Sequence, residues 1–240
     1  MDSFHPRAHA SLATIELHGY LRSVICLTCR NEHSRASFQS DLAALNPSWA
    51  ESLEDAERSG ALDTEDREER NKRGLRTNPD GDVEIPDAPY STFRYPPCPH
   101  CLRNKSKLAD GEETKIDVDK NGAWLPTSNA GILKPAVIMF GESIPTEVKK
   151  AAEDAIDEAS RILIMGSSLA TYSAFRLVKR AKENGMPIGV LNVGGVRGEE
   201  ELYAGIANGN RGQFGARCSQ NSEKVLPGLV ERLRAAQNLP

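Results

Sequence analysis

The fold is decided by one short stretch of sequence, Ile162-Leu163-Ile164-Met165-Gly166-Ser167-Ser168. Its four apolar residues have the length of a strand that is buried on both faces, and the glycine and serines after them are typical of a turn. A helical pattern follows over about 172–184, with Phe175 and Val178 on its inner side. The stretch therefore predicts a strand that leads into a helix of an α/β sheet.

Two more apolar runs flank this strand, at residues 136–140 and 187–191. Pro145 opens a helical pattern between the first two runs, and a last helix is predicted to begin near Glu223. Strands that are buried on both faces and separated by helices imply a parallel sheet with right-handed crossovers. Because three such strands make half of a doubly wound sheet, we predict an α/β fold with a partial, Rossmann-like parallel sheet over residues 134–240.

Four of the five cysteines form two Cys-x-x-Cys pairs, Cys26 with Cys29 and Cys98 with Cys101. Each pair forms a knuckle, and two knuckles complete a closed tetrahedral site of the structural kind. We therefore predict one bound zinc ion. The alternatives are four free thiols or two disulfides. His33 and His100 are possible substitute ligands, but four thiolates would leave no coordination position vacant for them.

The segment with these cysteines, residues 21–133, is predicted to form a small zinc-ribbon module with two insertions. Residues 51–84 hold 12 acidic and 6 basic side chains, which favours an exposed helix or a disordered stretch. Residues 102–130 are polar and rich in turns, and we expect them to form a second insertion at the surface.

Composition excludes several classes of function. The formal charge of −4 and the pI near 5.8 argue against a nucleic-acid-binding surface, and no apolar run approaches the roughly 20 residues of a membrane span. Five cysteines are too few for a disulfide scaffold, and paired cysteines indicate metal in a reducing compartment. The first residues show no secretory or transit signal, so we expect the chain as written to stay where it is made.

A series of short motifs follows the chain in a fixed order: Leu17-His18-Gly19, the two Cys-x-x-Cys pairs, Leu133-Lys134-Pro135, Phe140-Gly141-Glu142, Gly166-Ser167-Ser168 and Leu191-Asn192. This series resembles the sirtuins, a family of NAD-dependent protein-lysine deacylases, over residues 2 to about 235. The segments Leu45-Asn46-Pro47-Ser48-Trp49 and Ser167-Ser168-Leu169, with Tyr172-Ser173, most resemble the class II, mitochondrial type. A mitochondrial location is therefore expected for the full-length type, with the cytoplasm as the alternative.

The resemblance implies that His18 is a general base within a catalytic-loop segment, residues 1–20. Imidazole suits this role because its ordinary pKa of about 6.5 lets it accept and return protons near neutrality. The implied reaction uses NAD⁺ as co-substrate, moves the acyl group of a substrate lysine to ADP-ribose and releases nicotinamide. The implied partners are acyl-lysine proteins. Neither a nucleic acid nor a membrane is an expected partner.

The resemblance also implies binding residues for the cofactor and for the substrate peptide. Those for the cofactor are Gly166, Ser167, Ser168, Asn192, Cys218 and Asp2. Those for the peptide, by strand addition, are Val137, Phe140, Gly141 and Glu142. From the residues alone, the serines could instead cap a helix in a plain turn, and Cys218 could be an inert buried thiol in the loop before the last helix.

One departure from the family bears on activity. Sirtuins begin with a Gly-Ala-Gly-x-Ser loop and a further cofactor-binding loop, and neither occurs here, where Met1 and Asp2 resemble the tail of the motif that follows. We therefore expect a fragment, or a gene model begun at an internal methionine, with impaired NAD binding. The alternatives are a non-catalytic zinc-ribbon fragment that binds a partner, and a mono-ADP-ribosyltransferase.

Overall fold

The computed structural model describes residues 3–9, 11–60, 62–64, 66–77, 83–84, 90–206 and 211–237. The chain divides into two compact units, which are described separately. Unit 1 comprises Met1–Leu12 and His18–Met139, and unit 2 comprises Ala13–Leu17 and Phe140–Pro240. Within the described ranges, none of the helices combines the length and the apolar character that a membrane crossing requires.

Unit 1 is built around a three-stranded antiparallel sheet. Its elements, in chain order, are α1 (Phe4–Ala8), β1 (Gly19–Cys26), β2 (Glu32–Ser34), α2 (Arg35–Leu45), α3 (Pro47–Arg58), α4 (Arg67–Lys72), β3 (Arg76–Thr77), β4 (Val83–Glu84), a 3₁₀ turn (Tyr90–Thr92), α5 (Pro99–Arg103) and β5 (Leu133–Val137). The sheet order is β2-β1-β5. The core forms where β1 and β5 meet α5, and consists of Val24, Cys26, Cys98, Cys101 and Leu133.

A buried asparagine ties the helices of unit 1 to the segment before α5. Asn46 separates α2 from α3, and its amide nitrogen donates to the carbonyls of Leu42 (2.8 Å) and Arg94 (2.7 Å). Its amide oxygen accepts the backbone N–H of Arg94 at 2.6 Å. Because this polar side chain is buried and fully bonded, it holds the two segments together without an unpaired group.

The two predicted insertions behave differently. In the described part of residues 51–84, the side chains of α3 and those of residues 68–72 in α4 are exposed or half-buried, as the charge content predicts, and Leu75 is buried. The polar segment 102–130 forms turns and two isolated bridges, but it buries Thr114 and Ala123, and Ile116 packs against the cysteine-lined core. This segment therefore contributes more to the interior than a surface insertion would.

Unit 2 is a parallel sheet with helices. Its elements are α6 (Thr146–Glu158), β6 (Ile162–Met165), α7 (Tyr172–Glu183), β7 (Ile188–Leu191), α8 (Glu199–Tyr203), α9 (Arg211–Phe214), β8 (Gly215–Cys218) and α10 (Ser222–Gln237). The strands follow the order β6-β7-β8, and both pairs are parallel. The core of this unit is aliphatic and consists of Ile164, Leu169, Val178, Ile188, Val190, Val196 and Leu202.

The predicted α/β class with a parallel sheet is confirmed, but one strand was assigned to the wrong sheet. Of the apolar run at 136–140, Ala136 and Val137 lie in β5, which pairs antiparallel with β1 in unit 1, and the other three residues follow that strand. The third strand of the parallel sheet is β8, a short stretch that the sequence interpretation took for a loop. An apolar run indicates burial and not the direction of pairing, and β8 has too few large apolar residues to stand out.

Candidate functional site

Four cysteine sulfurs meet in unit 1. The Sγ atom of Cys26 lies 3.7 Å from that of Cys101, and the Sγ atom of Cys29 lies 3.8 Å from that of Cys98. All four sulfurs lie within 4.8 Å of one another. A regular tetrahedron with Zn–S bonds of about 2.3 Å has sulfur–sulfur edges of about 3.8 Å, so these separations fit one zinc ion. A disulfide needs about 2.05 Å, so the alternative of two disulfides is wrong.

A glycine joins the two knuckles through its backbone. The Gly131 carbonyl accepts the N–H of Cys98 at 2.8 Å, and the Gly131 N–H donates to the Thr28 hydroxyl at 3.1 Å. Its φ of +86° lies in the region that favours glycine, and a Cβ there would lie 2.5 Å from Ile116 Cδ1. Backbone contacts of Gly131 therefore help to fix the positions of the two knuckles.

The ionisation of the cysteines also suits a cation. Burial raises the pKa values of Cys98 and Cys101, and the sulfurs around them raise these values further. Burial also opposes ionisation of Cys26, but backbone N–H groups of Cys29 and Thr28 lower its pKa overall. Thiolates this close repel one another, and a divalent cation removes that penalty.

The two histidines named as substitute ligands lie outside this cluster. His33 Nε2 lies 3.3 Å from the sulfur of Cys98, which places it beside a ligand. His100 lies in α5 between the two cysteines of the second knuckle. Among the described residues, the group that could hold a metal ion consists of the four cysteines alone.

His18 lies half-buried in the turn before β1. Its carbonyl accepts the N–H of Ile138 at 3.0 Å, and the next residue, Gly19, is the register partner of Val137. Gly19 has a φ of +72°, and a Cβ there would lie 2.1 Å from the carbonyl oxygen of Ala136. Only glycine therefore permits this approach of β1 to β5, which fixes the main chain of His18 beside Val137. Gly19 lies within a motif of the sequence, but the sequence alone does not reveal this role.

In unit 2, three predicted cofactor residues follow one another across the sheet. The register pairs Met165 with Leu191 and Leu191 with Cys218. Gly166, Asn192 and Cys218 therefore lie at neighbouring carboxyl ends of β6, β7 and β8, the edge where ligands collect in open parallel sheets. Cys218 is the last residue of β8 and half-buried, so its predicted place in a loop is wrong.

The loop after β6 has a fixed conformation. Gly166 has a φ of +60°, and its N–H donates to the Leu191 carbonyl at 3.0 Å. The Ser167 hydroxyl accepts the N–H of Leu169, which is buried and has a φ of +55°, unusual for leucine. The N-cap of α7 is Thr171, so the alternative in which a serine of this loop caps the helix is wrong.

The loop after β7 is tied to the loop after β6. The backbone N–H of Arg197 donates to the Ser168 carbonyl at 2.9 Å, and Arg197 Nη1 donates to the Ala170 carbonyl at 3.2 Å. Asn192 Nδ2 donates to the Gly194 carbonyl at 2.9 Å. Ser168 and Asn192 are therefore each bonded to the loop after β7.

A cavity of about 1140 Å³ lies elsewhere in unit 2. Its walls come mainly from α8, the residues before it and β8, and include Val196, Glu199, Tyr203, Gly215 and Arg217. None of the predicted cofactor residues lines it. Because ligand sites of parallel sheets lie at the carboxyl ends, we keep that edge as the candidate nucleotide site.

The remaining predicted residues fall in different places. Phe140, Gly141 and Glu142 are exposed and follow one another in unit 2, where Gly141 has a φ of +88°. Val137, predicted to lie near them, is buried at the end of β5 in unit 1. Asp2 lies outside the described residues.

Comparison with known proteins gives a single family. The model described as "Sir2 family" matches residues 1–173. The chain is 35% identical over 205 residues to the NAD-dependent protein deacylase SIR4 of Batrachochytrium dendrobatidis, covering 83% of this chain and 54% of that protein. It is 32% identical over 201 residues to the NAD-dependent protein deacylase SRT2 of Arabidopsis thaliana, covering 83% and 44%. The chain thus spans about half the length of the curated relatives it matches.

Solved structures agree on the fold. A Sir2 homologue in complex with NAD has a TM-score of 0.51 at 20% identity, covering 98% of this chain and 56% of its own. A complex described as Sir2 with p53 peptide and NAD⁺ has a TM-score of 0.50 at 16% identity, covering 96% and 59%. At these identities the similarity establishes the α/β fold.

Proposed function

The chain belongs to the Sir2 family, and from this premise we propose that it carries the general base, the zinc module and one side of the nucleotide-binding surface of an NAD-dependent protein-lysine deacylase. The proposed reaction transfers the acyl group of a substrate lysine to ADP-ribose and releases nicotinamide. The names of the relatives in Batrachochytrium dendrobatidis and Arabidopsis thaliana, both NAD-dependent protein deacylases, support this proposal.

One observation carries the proposal: Gly166, Ser167, Ser168, Asn192 and Cys218 lie at neighbouring carboxyl ends of three parallel strands. The glycine lets a ligand approach the backbone, and the hydroxyl and amide groups can bind ribose and phosphate oxygens. The donor set therefore fits a dinucleotide. Gly166 N–H and Leu169 N–H are already bonded within the protein, so the serine side chains are the better donors.

His18 is the proposed general base. When bound, NAD would supply a ribose carbon that bonds the acyl oxygen of the substrate lysine in place of nicotinamide, and a ribose hydroxyl that receives the acyl group. A ring nitrogen of His18 accepts a hydroxyl proton and later returns it, a role for which imidazole is suited near neutral pH. Gly19 fixes the main chain next to His18 through its close approach to Ala136.

The proposed peptide-binding residues are Val137, Phe140, Gly141 and Glu142. Residues 140–142 are exposed, and an extended peptide is proposed to add beside this segment as a strand. An acyl-lysine within such a peptide is the proposed substrate.

The proposed zinc ion is structural. Cys26, Cys29, Cys98 and Cys101 supply all four ligands and leave no open position for chemistry. Bound zinc supplies folding energy to unit 1.

We further propose the class II, mitochondrial type, supported by the resemblance of residues 45–49 and 167–173 to that type. An antibody against the chain, used on fractionated host cells, tests the compartment. Signal in the mitochondrial fraction is expected, and signal confined to the cytosol would contradict this part of the proposal.

Titration with ADP-ribose tests the nucleotide site in the chain as it stands. Added ADP-ribose should shift the amide NMR signals of Gly166, Ser168, Asn192 and Cys218. Asn192→Ala should reduce the shifts of the other three signals at the same ligand concentration. Asn184→Ala is the matched control, because Asn184 bonds Asp157 at the end of α7. A titration to millimolar ligand without shifts, or with shifts confined to the walls of the 1140 Å³ cavity, would reject the site.

A further inference from the structure

The loop that carries Asn192 does not fix its own conformation. Between the end of β7 and the start of α8 it contains Gly194 and Gly195, and a Cβ at Gly194 would meet nothing within 4 Å. Glycines of this kind have many accessible conformations. The Asn192 N–H is paired with the Cys218 carbonyl at 3.1 Å, but the residues directly after Asn192 depend on contacts with other elements to hold them in place.

Arg217 supplies that contact from β8. Its Nη1 donates to the carbonyls of Asn192 (2.7 Å) and Cys218 (2.8 Å), and its Nη2 donates to the carbonyl of Gly194 (2.7 Å). Asn192 Nδ2 donates to the same Gly194 carbonyl at 2.9 Å. The guanidinium is thus bonded to the main chain of Asn192 and shares an acceptor with its side chain.

A carboxylate completes the arrangement. Arg217 Nε donates to Glu199 Oε1 at 2.7 Å, and Glu199 Oε2 accepts the N–H of Val196 at 3.0 Å. The hydrogen bond from Arg217, followed by that from Val196, lowers the pKa of Glu199, so the pair is charged at neutral pH. Both side chains are mostly buried, at 21% and 31% exposure, where charge-assisted bonds are strong.

We propose that Arg217 is the positioning residue for the nucleotide site: with Glu199, it holds the loop at residues 192–196 so that the Asn192 amide meets the ribose of the bound dinucleotide. The inference rests on the proposed function. Neither residue belongs to the predicted site, and neither needs to touch the ligand.

The geometry requires arginine specifically. Its planar group bonds three carbonyls and a carboxylate at once. A lysine ammonium has three donors on a single nitrogen and cannot reach acceptors spread along the loop. Arg217→Lys should therefore keep the charge and lose the positioning.

The experiment compares Arg217→Lys with the parent chain and with Arg180→Lys. Arg180 is a matched control in the same unit, because it also pairs with a carboxylate, Asp157 (Nε to Oδ1, 2.7 Å), but away from the carboxyl edge. ADP-ribose binding is measured by NMR titration. We expect Arg217→Lys to raise Kd about tenfold, within the usual 5- to 150-fold range of coupling between sites, and Arg180→Lys to leave Kd unchanged.

Hydrogen exchange gives a second readout that needs no ligand. In Arg217→Lys, the Val196 amide should lose protection while the core amide of Val190 keeps it. A purely structural role would lower protection throughout the unit and leave Kd, measured well below the melting temperature, unchanged.

The outcomes separate the two proposals. Parent protein that binds ADP-ribose, with Arg217→Lys binding equally well and Val196 still protected, would overturn the positioning role alone. Parent protein that fails to bind ADP-ribose at millimolar concentration would overturn the proposed nucleotide site and the positioning role together.

Discussion

Replacing Gly19 by alanine tests the contact that fixes the proposed general base. The new Cβ would lie 2.1 Å from the Ala136 oxygen and 3.0 Å from Val137 Cα, at a φ of +72°. Alanine in that conformation costs about 1–2 kcal/mol, and the forced separation of β1 from β5 adds about 1–3 kcal/mol. To reach an ordinary contact the Ala136 oxygen must move by more than about 1 Å, which weakens the bond from Ile138 N–H to the His18 carbonyl.

Gly122→Ala is the matched control, because Gly122 has a φ of +84° in the same unit and a Cβ there meets nothing within 4 Å. Gly122→Ala therefore has the cost of alanine at a positive φ, but its new Cβ makes no close contact. Both tryptophans, Trp49 and Trp124, lie in unit 1, so urea unfolding followed by tryptophan fluorescence reports on this unit. We expect Gly19→Ala to unfold about 1–3 kcal/mol more easily than Gly122→Ala. Equal unfolding free energies for the two variants would refute the close approach.

Four further predictions follow from the two units. The purified chain should hold about one zinc ion by metal analysis. Cys98→Ser should lose the ion and unfold unit 1, as circular dichroism would show, whereas Cys218→Ser should keep the ion. The stability of unit 2 should fall as pH drops below the ordinary Glu199 pKa of 4.5, because the folded-state pKa is lower, and Glu199→Gln should flatten that fall in acid titrations followed by circular dichroism. Leu163 is 52% exposed on β6, so Leu163→Lys should reduce aggregation measured by light scattering, with little change in melting temperature. The 240-residue chain should bind NAD weakly and turn over no acyl-lysine peptide in a nicotinamide-release assay, and robust turnover would contradict this.

The sequence predicted the parts of the fold in which local pattern and final structure agree. The helices at 172–183 and 222–237 and the strands at 162–165 and 188–191 have periodic or continuous apolar residues, and they form as expected. β8 was missed because Gly215-Ala216-Arg217-Cys218 has no large apolar residue, and its strand conformation depends on pairing with β7. The direction of β5 depends on its partner β1, more than 100 residues earlier, which no local pattern records.

In the candidate site, too, some residues can be predicted from the sequence and others cannot. The four cysteines could be found from spacing alone, since two Cys-x-x-Cys pairs predict one tetrahedral centre. Gly19 and Arg217 act through backbone contacts made by folding, so composition and spacing do not reveal them. The available signals were weak: a glycine directly after the proposed base, and an arginine directly before Cys218.

The central claim is that this chain provides the general base of an NAD-dependent deacylase. The most direct test is acyl-lysine-dependent release of nicotinamide by a fusion that supplies the first half of a sirtuin, including its Gly-Ala-Gly-x-Ser loop. We expect the fusion to release nicotinamide and transfer the acyl group, His18→Ala to abolish transfer while keeping zinc, and the exposed-site control His9→Ala to remain active. A fusion that deacylates equally well without His18 would contradict the account.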